Sequence, residues 1–388
     1  MSEFETRMAS EGSRDAASTR DTIELGDLVP QWVRRLAAYP PGMPLEELER
    51  EYGITGSIKL ASNENPFGPS PRALAAIDAA LGSLHRYPDG SGFYLRRALA
   101  QRHGVAADAI ILGNGSNDII ELLVRAFLRP GDEAVMAEQA FVIYQMVVQA
   151  AGATPRPIPL RRYTHDLDAM AQAIGPATRL VFLANPNNPT GTIYLRDEWE
   201  DFLDSVPPHV VVVADDAYAD YVEDPAYPNS LVYHRRDRLL VTLRTFSKIY
   251  GLAGLRIGYG IGPLEVIEIL NKIRQPFNVN ALAHVAALAA LDDTAHVERT
   301  RSNNREGLAF LRAGCERLGR PYVPSWANFL LIDVGEGARV YEGLLRLGVI
   351  VRPMDVYGLP RHLRVTVGTP TENQRFVDSL ATVLGHGT

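Results

Sequence analysis

The fold is decided by an apolar run that ends in polar residues, VVVVADDAY at residues 210–218. Four consecutive valines show no alternation of polar and apolar side chains, which predicts a strand buried on both faces. Two aspartates follow at once and mark the end of the strand. Strands of this kind are typical of parallel sheets that lie between two layers of helices.

Similar apolar runs lie on either side of this one. Strands are predicted at residues 109–112, 134–137, 180–184, 210–214, 239–244 and 257–261. Helices are predicted between them at residues 117–128, 167–174 and 196–205. This alternation requires crossover connections and predicts an α/β domain with a mostly parallel sheet. Ligands of such sheets bind at the carboxyl ends of the strands, so the residues directly after each run are the functional candidates.

The C-terminal part of the chain has a different pattern. The Ala- and Leu-rich residues 263–300 predict one long helix or a pair of helices that leads to a second domain. Beyond it we expect a helix at 305–318, strands near 329–333, 349–352 and 363–367, and a last helix from about Glu372. This pattern predicts a smaller α+β domain. The length of 388 residues, more than one compact core usually takes, agrees with two domains.

Composition narrows the classes of partner. The net charge is −7 and no run of Lys or Arg occurs, which argues against a nucleic-acid partner. The longest apolar stretches are too short to span a bilayer, so no membrane partner is expected. Residues 1 to about 25 are polar, lack the apolar core of a signal peptide and are predicted to be a mobile tail. Cys315 is the single cysteine, which suits a reducing cytoplasm.

Polar motifs follow four of the predicted strands. They are GNGSN at 113–117, NPNNPTG at 185–191, DDAY at 215–218 and TFSK at 245–248, with Arg256 eight residues further on. Because strand ends of one sheet meet at one edge, we expect these motifs to converge on one crevice. The first motif opens a helix, whose free N–H groups suit a phosphate. Ser247 and Arg256 add a hydroxyl and a bidentate cation for the same anion.

The remaining side chains suit an aromatic aldehyde. Asp215 at a buried strand end would keep its charge beside a protonated pyridine nitrogen. Lys248 offers an amine that can form a Schiff base if its pKa is lowered. Asn188 and Tyr218 can hydrogen-bond a phenolic oxygen. Phosphate, pyridine, phenolic oxygen and aldehyde together describe pyridoxal phosphate.

Each motif alone has an ordinary structural interpretation. Gly-x-Gly and Asn-Pro-Thr-Gly are usually turns, a lone Asp after a strand usually caps a helix, and a lone Lys is usually a surface charge. The joint occurrence at successive strand ends favours the cofactor site. Asp118 stands where a dinucleotide-binding fingerprint has its third glycine, so a nicotinamide cofactor is not expected. No metal-binding motif is recognised, and no metal site is predicted.

With these motifs in place, the chain resembles the fold-type I aminotransferases, and among them the histidinol-phosphate aminotransferases. The segments that carry the resemblance are KLASNENPFG (59–68), RYPDG (86–90), NPTG (188–191), DDAY (215–218), RTFSKIYGLAGLR (244–256) and LRVTVGT (363–369). The resemblance extends from about Tyr39 to the C-terminus. It implies a seven-stranded, mostly parallel sheet. It also implies an N-terminal arm at 26–58, a large cofactor-binding domain at 59–285 and a small domain at 286–388.

The resemblance also implies a role for each site residue. Lys248 would be the catalytic residue that holds the cofactor, and Asp215 would pair with its ring nitrogen. The other cofactor-binding residues would be Gly115, Ser116, Asn117, Phe141, Asn188, Tyr218, Thr245, Ser247, Arg256 and, from a neighbouring subunit, Tyr87. Two positions depart from the family: Phe141 replaces a stacking tyrosine, and Asp216 replaces a glutamate. A phenyl ring stacks equally well and only the hydroxyl is lost.

Substrates and partners follow from the same resemblance. Arg364, with Arg352 and Tyr39, would grip the anionic end of the substrate, and Asn63 lies in a segment that passes the site. The implied assembly is a homodimer with shared active sites. The implied reaction moves an amino group between L-glutamate and imidazole-acetol phosphate, as in histidine biosynthesis. An aromatic amino-acid aminotransferase, a decarboxylase of the threonine-phosphate type and a binding protein that retained the fold stay open as alternatives.

Overall fold

The computed structural model describes residues 25–39, 42–235 and 238–385. The tail predicted for residues 1 to about 25 therefore lies outside the described residues, apart from Leu25 itself. In the described ranges, no helix is both long enough and apolar enough to cross a membrane.

Strands and helices alternate through the first two thirds of the chain. The strands are β1 (Ile58–Lys59), β2 (Ile110–Gly113), β3 (Glu133–Ala137), β4 (Thr154–Ile158), β5 (Thr178–Ala184), β6 (Val211–Asp215), β7 (Leu240–Thr245), β8 (Gly258–Ile261), β9 (Tyr322–Val323), β10 (Phe329–Asp333), β11 (Val349–Ile350), β12 (Arg352–Pro353) and β13 (His362–Thr366). The helices are α1 (Gln31–Arg34), α2 (Leu45–Tyr52), α3 (Pro71–Ala80), α4 (Phe93–His103), α5 (Ser116–Phe127), α6 (Ile143–Ala150), α7 (Leu167–Gln172), α8 (Arg196–Ser205), α9 (Leu264–Ile273), α10 (Ala281–Leu291), α11 (Thr294–Arg317), α12 (Gly337–Arg346) and α13 (Pro370–Val383).

The central sheet has seven strands in the order β2-β8-β7-β6-β5-β3-β4. Within it, β8 runs antiparallel to both of its neighbours, and the other pairs are parallel. Alternate residues of β6 point to opposite faces, as the pleat requires. Val211 and Val213 join a core that includes α5, α6 and α9, whereas Val212 packs with α7 and α8. The prediction of a mostly parallel sheet between helices is confirmed.

One strand of this sheet was not predicted. The sequence of β4 is TPRPI, with two prolines and side chains that are mostly exposed. Proline cannot donate a hydrogen bond to a strand on that side, so it is tolerated only at an edge. The strand lies at the edge of the sheet and pairs with β3 alone. Helices α3, α4 and α6 were also not predicted.

The expectation of one long helix or a pair of helices at 263–300 is wrong in detail, because this region contains three: α9, α10 and the beginning of α11. Pro276 follows the first of these helices and disfavours helical backbone in the residue before it. The Asp293 side chain accepts a hydrogen bond from the N–H of His296 and so begins α11. The helix predicted at 305–318 is the second half of α11.

The C-terminal sheet is separate, with four antiparallel strands in the order β12-β13-β10-β9. Apolar residues of α11, α12 and α13 pack against it in one core. The strand predicted at 349–352 is split between β11 and β12, since β11 pairs with β1 and β12 with β13. The predicted α+β character of this part is confirmed.

Leu48 of α2 packs against Leu345 and Ile350, so the residues before β1 contact the C-terminal part.

Candidate active site

A cavity of about 200 Å³ lies at the carboxyl ends of β5, β6 and β7. Its wall brings together most of the residues predicted from the sequence: Tyr39, Asn63, Ser116, Asn117, Phe141, Asn188, Asp215, Tyr218, Thr245, Ser247, Lys248, Arg256, Arg352 and Arg364. Gly115 directly precedes the wall residue Ser116. Tyr87 is not part of this wall; its side chain is 83% exposed and its ring stacks on Phe277, with centroids 4.8 Å apart.

Lys248 follows the end of β7 and projects its amine into the cavity. The Nζ atom donates a hydrogen bond to the carbonyl oxygen of Ser62 at 3.2 Å and lies 5.6 Å from the centre of the Tyr218 ring. Burial lowers the pKa of Lys248 to about 8, and the positive charges of Arg364 and Arg256 act in the same direction. The amine therefore becomes neutral, and nucleophilic, at a lower pH than that of an ordinary lysine.

Asp215 is the last residue of β6 and is buried. Its Oδ2 atom accepts a hydrogen bond from the Tyr144 hydroxyl at 2.5 Å, and its Oδ1 atom accepts one from the N–H of Ala217 at 3.2 Å. Burial raises the pKa of Asp215, while these two donors and the charge of Lys248 oppose the rise. The cavity thus holds a carboxylate whose charge depends on the donors around it.

Asp216, the neighbouring acid, is held away from the cavity. Its Oδ2 atom lies 3.3 Å from Nη2 of Arg244 and accepts a hydrogen bond from the Ser230 hydroxyl at 2.6 Å. Burial raises the pKa of Asp216 to about 6. The departure from the family at this position therefore affects a buried ion pair behind the strand.

The N-terminus of α5 forms an anion cradle with Arg256. Gly115 has a φ of 74°, and a Cβ atom at this position would lie 2.6 Å from Nη2 of Arg256. Only glycine allows the guanidinium to approach the turn this closely. The first N–H groups of α5, the hydroxyls of Ser116 and Ser247, and this guanidinium can bind a phosphate together.

Polar contacts join the opposite wall to the C-terminal sheet. The Asn63 amide donates to the Tyr218 hydroxyl at 2.8 Å. Arg364 is buried and donates from Nη1 to Oδ1 of Asn188 and from Nη2 to the carbonyl oxygen of Ala61. These contacts join four predicted residues in two pairs, Asn63 with Tyr218 and Arg364 with Asn188.

Two arginines form one end of the cavity. Arg352 and Arg364 are directly opposite each other on β12 and β13, so both side chains leave the same face of the small sheet. The guanidinium of Arg352 lies 5.6 Å from the centre of the Tyr39 ring. A cationic pair at this place is suited to the anionic end of a substrate.

The comparisons with known proteins agree with this geometry. Residues 55–380 match the family model described as aminotransferase class I and II. The chain belongs to that family. It is 52% identical to histidinol-phosphate aminotransferase 1 of Nitrosococcus oceani, over 91% of this chain and 95% of that protein. It is 47% identical to the histidinol-phosphate aminotransferase of Moorella thermoacetica, over 96% of this chain and 99% of that protein.

Solved structures place this aminotransferase in the same fold. The histidinol-phosphate aminotransferase of Sinorhizobium meliloti, in complex with pyridoxal-5'-phosphate, has a TM-score of 0.85 and 27% identity, and covers 92% of this chain and 97% of that chain. A double mutant of the Thermus thermophilus aspartate aminotransferase has a TM-score of 0.80 and 25% identity, over 92% of this chain and 99% of that chain. The resemblance to fold-type I aminotransferases is confirmed.

The cavity of this aminotransferase fits pyridoxal phosphate. The cradle at Gly115 and Arg256 matches the phosphate, and the buried carboxylate of Asp215 matches a protonated ring nitrogen. Lys248 supplies an amine of lowered pKa for the aldehyde. Among the described residues, no group of three or more His, Cys, Asp or Glu side chains could hold a metal ion.

Sequence reasoning missed Tyr144 and Tyr357, which also line the cavity. Tyr144 lies on α6, three residues after Phe141, which directly precedes the N-cap of that helix, and the two rings are in edge-to-face contact. That spacing was the available signal. Tyr357 follows the small-sheet strand β12, and no motif marks it in the sequence.

Proposed function

We propose that this aminotransferase binds pyridoxal 5'-phosphate and catalyses the reaction of L-histidinol phosphate with 2-oxoglutarate, which gives imidazole-acetol phosphate and L-glutamate. One observation carries the proposal: a lysine amine of lowered pKa and a buried carboxylate share one cavity with two arginines. The high identity to histidinol-phosphate aminotransferases over nearly the whole chain supports the choice of substrate.

We assign the cofactor-binding roles to residues in and beside the cavity wall. Asp215 pairs with the ring nitrogen, Phe141 stacks on the ring, and Asn188 and Tyr218 hydrogen-bond the phenolic oxygen. The phosphate is held by Gly115, Ser116, Asn117, Thr245, Ser247 and Arg256. When bound, pyridoxal phosphate withdraws electrons from the substrate carbon that loses its proton.

Lys248 has two roles in this proposal. Its amine would hold pyridoxal phosphate through the aldehyde of the cofactor. Its Nζ would also act as the base and acid that moves the proton of the substrate carbon. Burial serves both roles, because it lowers the pKa of the amine to about 8 and so raises the share of the neutral form, which can accept a proton.

Substrate recognition requires one site for two different anions. Glutamate presents a carboxylate, and histidinol phosphate presents a phosphate. The planar fork of a guanidinium pairs with either anion. We assign this role to Arg364 and Arg352, with Tyr39 packed on Arg352 and Asn63 positioned beside Tyr218.

We further infer a homodimer with shared active sites. Large apolar side chains are exposed on α3 and α4, between these two helices, and at Phe277, which stacks on Tyr87: Leu74, Leu81, Leu84, Tyr87, Phe93, Tyr94 and Phe277. Exposed apolar side chains in such number favour association. Tyr87 would reach the cofactor phosphate of the second copy.

We also place the enzyme in the cytoplasm, which the single, buried cysteine supports.

A screen of half-reactions tests the substrate. The purified protein with bound cofactor is mixed in turn with L-histidinol phosphate, glutamate, phenylalanine and tyrosine, and the visible absorbance of the cofactor is followed. The proposal predicts rapid loss of absorbance with histidinol phosphate and with glutamate. Faster loss with phenylalanine or tyrosine would favour an aromatic aminotransferase, and release of carbon dioxide without an amino acceptor would favour a decarboxylase.

A further inference from the structure

The hydroxyl of Tyr144 lies deep in the cavity wall and contacts the carboxylate that the cofactor needs. We propose that Tyr144 is a positioning residue, whose hydroxyl fixes the carboxylate of Asp215 against the ring nitrogen of the cofactor. This inference rests on the proposed function and adds a residue to it.

The contact is direct and buried. The Tyr144 hydroxyl donates to Oδ2 of Asp215 at 2.5 Å, and both side chains are buried. The second carboxylate oxygen is occupied by the N–H of Ala217 at 3.2 Å. Two donors from different segments, α6 and the turn after β6, therefore fix the plane of the carboxylate. A neutral donor also stabilises the charged form of the acid without competing for the positive charge of the cofactor.

The ring of Tyr144 is itself fixed by its neighbours. It stacks on Phe182 of β5, with centroids 4.8 Å apart and planes 9° apart. It also meets the ring of Phe141 edge to face, with centroids 5.6 Å apart. The Tyr144 ring is therefore held between Phe182 of the sheet and Phe141. Its hydroxyl has little freedom to move away from Asp215.

Packing alone does not account for a tyrosine at this position. A phenylalanine would make the same ring contacts with Phe141 and Phe182. A buried hydroxyl is unfavourable unless it has a hydrogen-bond partner, and Asp215 is the partner that the structure gives it. The hydrogen bond to Asp215 therefore explains why a tyrosine, and not a phenylalanine, stands here.

Tyr144→Phe removes this one atom and keeps the ring. We expect the dissociation constant of pyridoxal phosphate to rise about tenfold, because the carboxylate that holds the ring nitrogen loses one of its two hydrogen-bond donors. The pH titration of the bound cofactor's absorbance should shift as well, because Asp215 holds the ring nitrogen less firmly. In turnover, kcat should fall while KM changes less than about twofold.

Tyr233→Phe is the matched control. Tyr233 is also a buried residue, and its hydroxyl donates at 2.7 Å to Oε1 of Glu200, which lies on α8 and does not line the cavity. This variant loses the same atom and should bind the cofactor like the unmodified protein.

A double-mutant cycle with Asp215→Asn tests whether the hydroxyl acts through the acid. The effect of Tyr144→Phe on cofactor affinity should shrink to less than about twofold in the Asp215→Asn background. An undiminished effect there, or a Tyr144→Phe protein with unchanged cofactor affinity and absorbance titration, would overturn the inference. If the unmodified protein does not bind pyridoxal phosphate, the proposed function itself fails, and the two failures are thus distinguished.

Discussion

At the scale of single residues, the chemistry of the cavity depends on one amine. Burial and the nearby arginines lower the pKa of Lys248 to about 8, so the neutral, reactive form of the amine dominates above that pH. The rate at which cofactor-free protein captures pyridoxal phosphate should rise with pH and level off above about 8. Stopped-flow absorbance between pH 6 and 9 measures this rate. A flat profile over that range would be inconsistent with the amine as the titrating group.

Arg364 affects both the substrate and the lysine. After burial, its charge is the largest cause of the lowered pKa of Lys248. Arg364→Gln should therefore move the capture profile to higher pH and raise KM at least tenfold for both glutamate and histidinol phosphate, because one guanidinium is lost from the anion site. Arg346→Gln, which removes an exposed partner of Glu342, is the control. Unchanged KM values in Arg364→Gln would show that this residue does not bind the substrate anion.

Site residues at strand ends can be predicted from the strand pattern of the sequence, whereas those brought in by tertiary contacts are not marked by it. Asn188, Asp215 and Lys248 lie at or just after the ends of buried strands, so the rule about strand ends selects them from the sequence alone. Asn63 and Tyr144 reach the cavity through contacts with residues 155 and 71 positions away in the chain. Such contacts depend on tertiary packing: Asn63 is predicted only through the family resemblance, and Tyr144 is marked in the sequence only by its spacing from Phe141.

At the scale of elements, periodicity predicts what is buried and uniform. Strands β5, β6 and β7 are buried almost throughout, and their apolar runs are visible in the sequence. Strand β4 is an exposed edge with two prolines, and its pairing comes from the neighbouring strand rather than from its own composition. Helix α11 was predicted in two pieces, the end of the helical region at 263–300 and a helix from Arg305, because residues 301–304 between them are polar and the amphipathic pattern is weak.

Helix α13 gives a test of local stability. Thr369 accepts a hydrogen bond from the N–H of Glu372, and the Glu372 carboxylate accepts one from the N–H of Thr369. Thr369→Ala removes half of this capping box and should lower the free energy of unfolding by about 1 kcal/mol. Urea denaturation followed by circular dichroism measures the change. Thr382→Ala, on the same helix with its hydroxyl on a backbone carbonyl, should change it little; equal losses would argue against the cap.

At the scale of the whole molecule, the division of the chain remains a proposal. We propose an arm at 26–58, a large domain at 59–285 and a small domain at 286–388. The separate sheets and cores of the two parts support the division. The contact of α2 with Leu345 and Ile350 supports an arm that belongs with the small domain.

The proposed dimer makes a prediction at the same scale. Leu84 is 54% exposed and is one of the apolar side chains that we place in the dimer interface. A charged side chain at this position would have to be buried on association. Leu84→Glu should shift the protein from dimer to monomer in sedimentation velocity, while Leu264→Glu, at an exposed leucine of α9, should not. A monomeric unmodified protein would exclude the dimer, and a dimeric Leu84→Glu protein would exclude this surface.

The central claim is that Lys248 holds the cofactor, and the composition of the chain makes it directly testable. The chain contains only three lysines: Lys59, Lys248 and Lys272. Borohydride reduction of the protein with pyridoxal phosphate bound makes the carbon–nitrogen bond permanent, and mass spectrometry of the peptides locates it. The proposal predicts the added mass on the peptide that contains Lys248 and on neither of the other two. Label on Lys59 or Lys272 in place of Lys248, or no label at all, would contradict it.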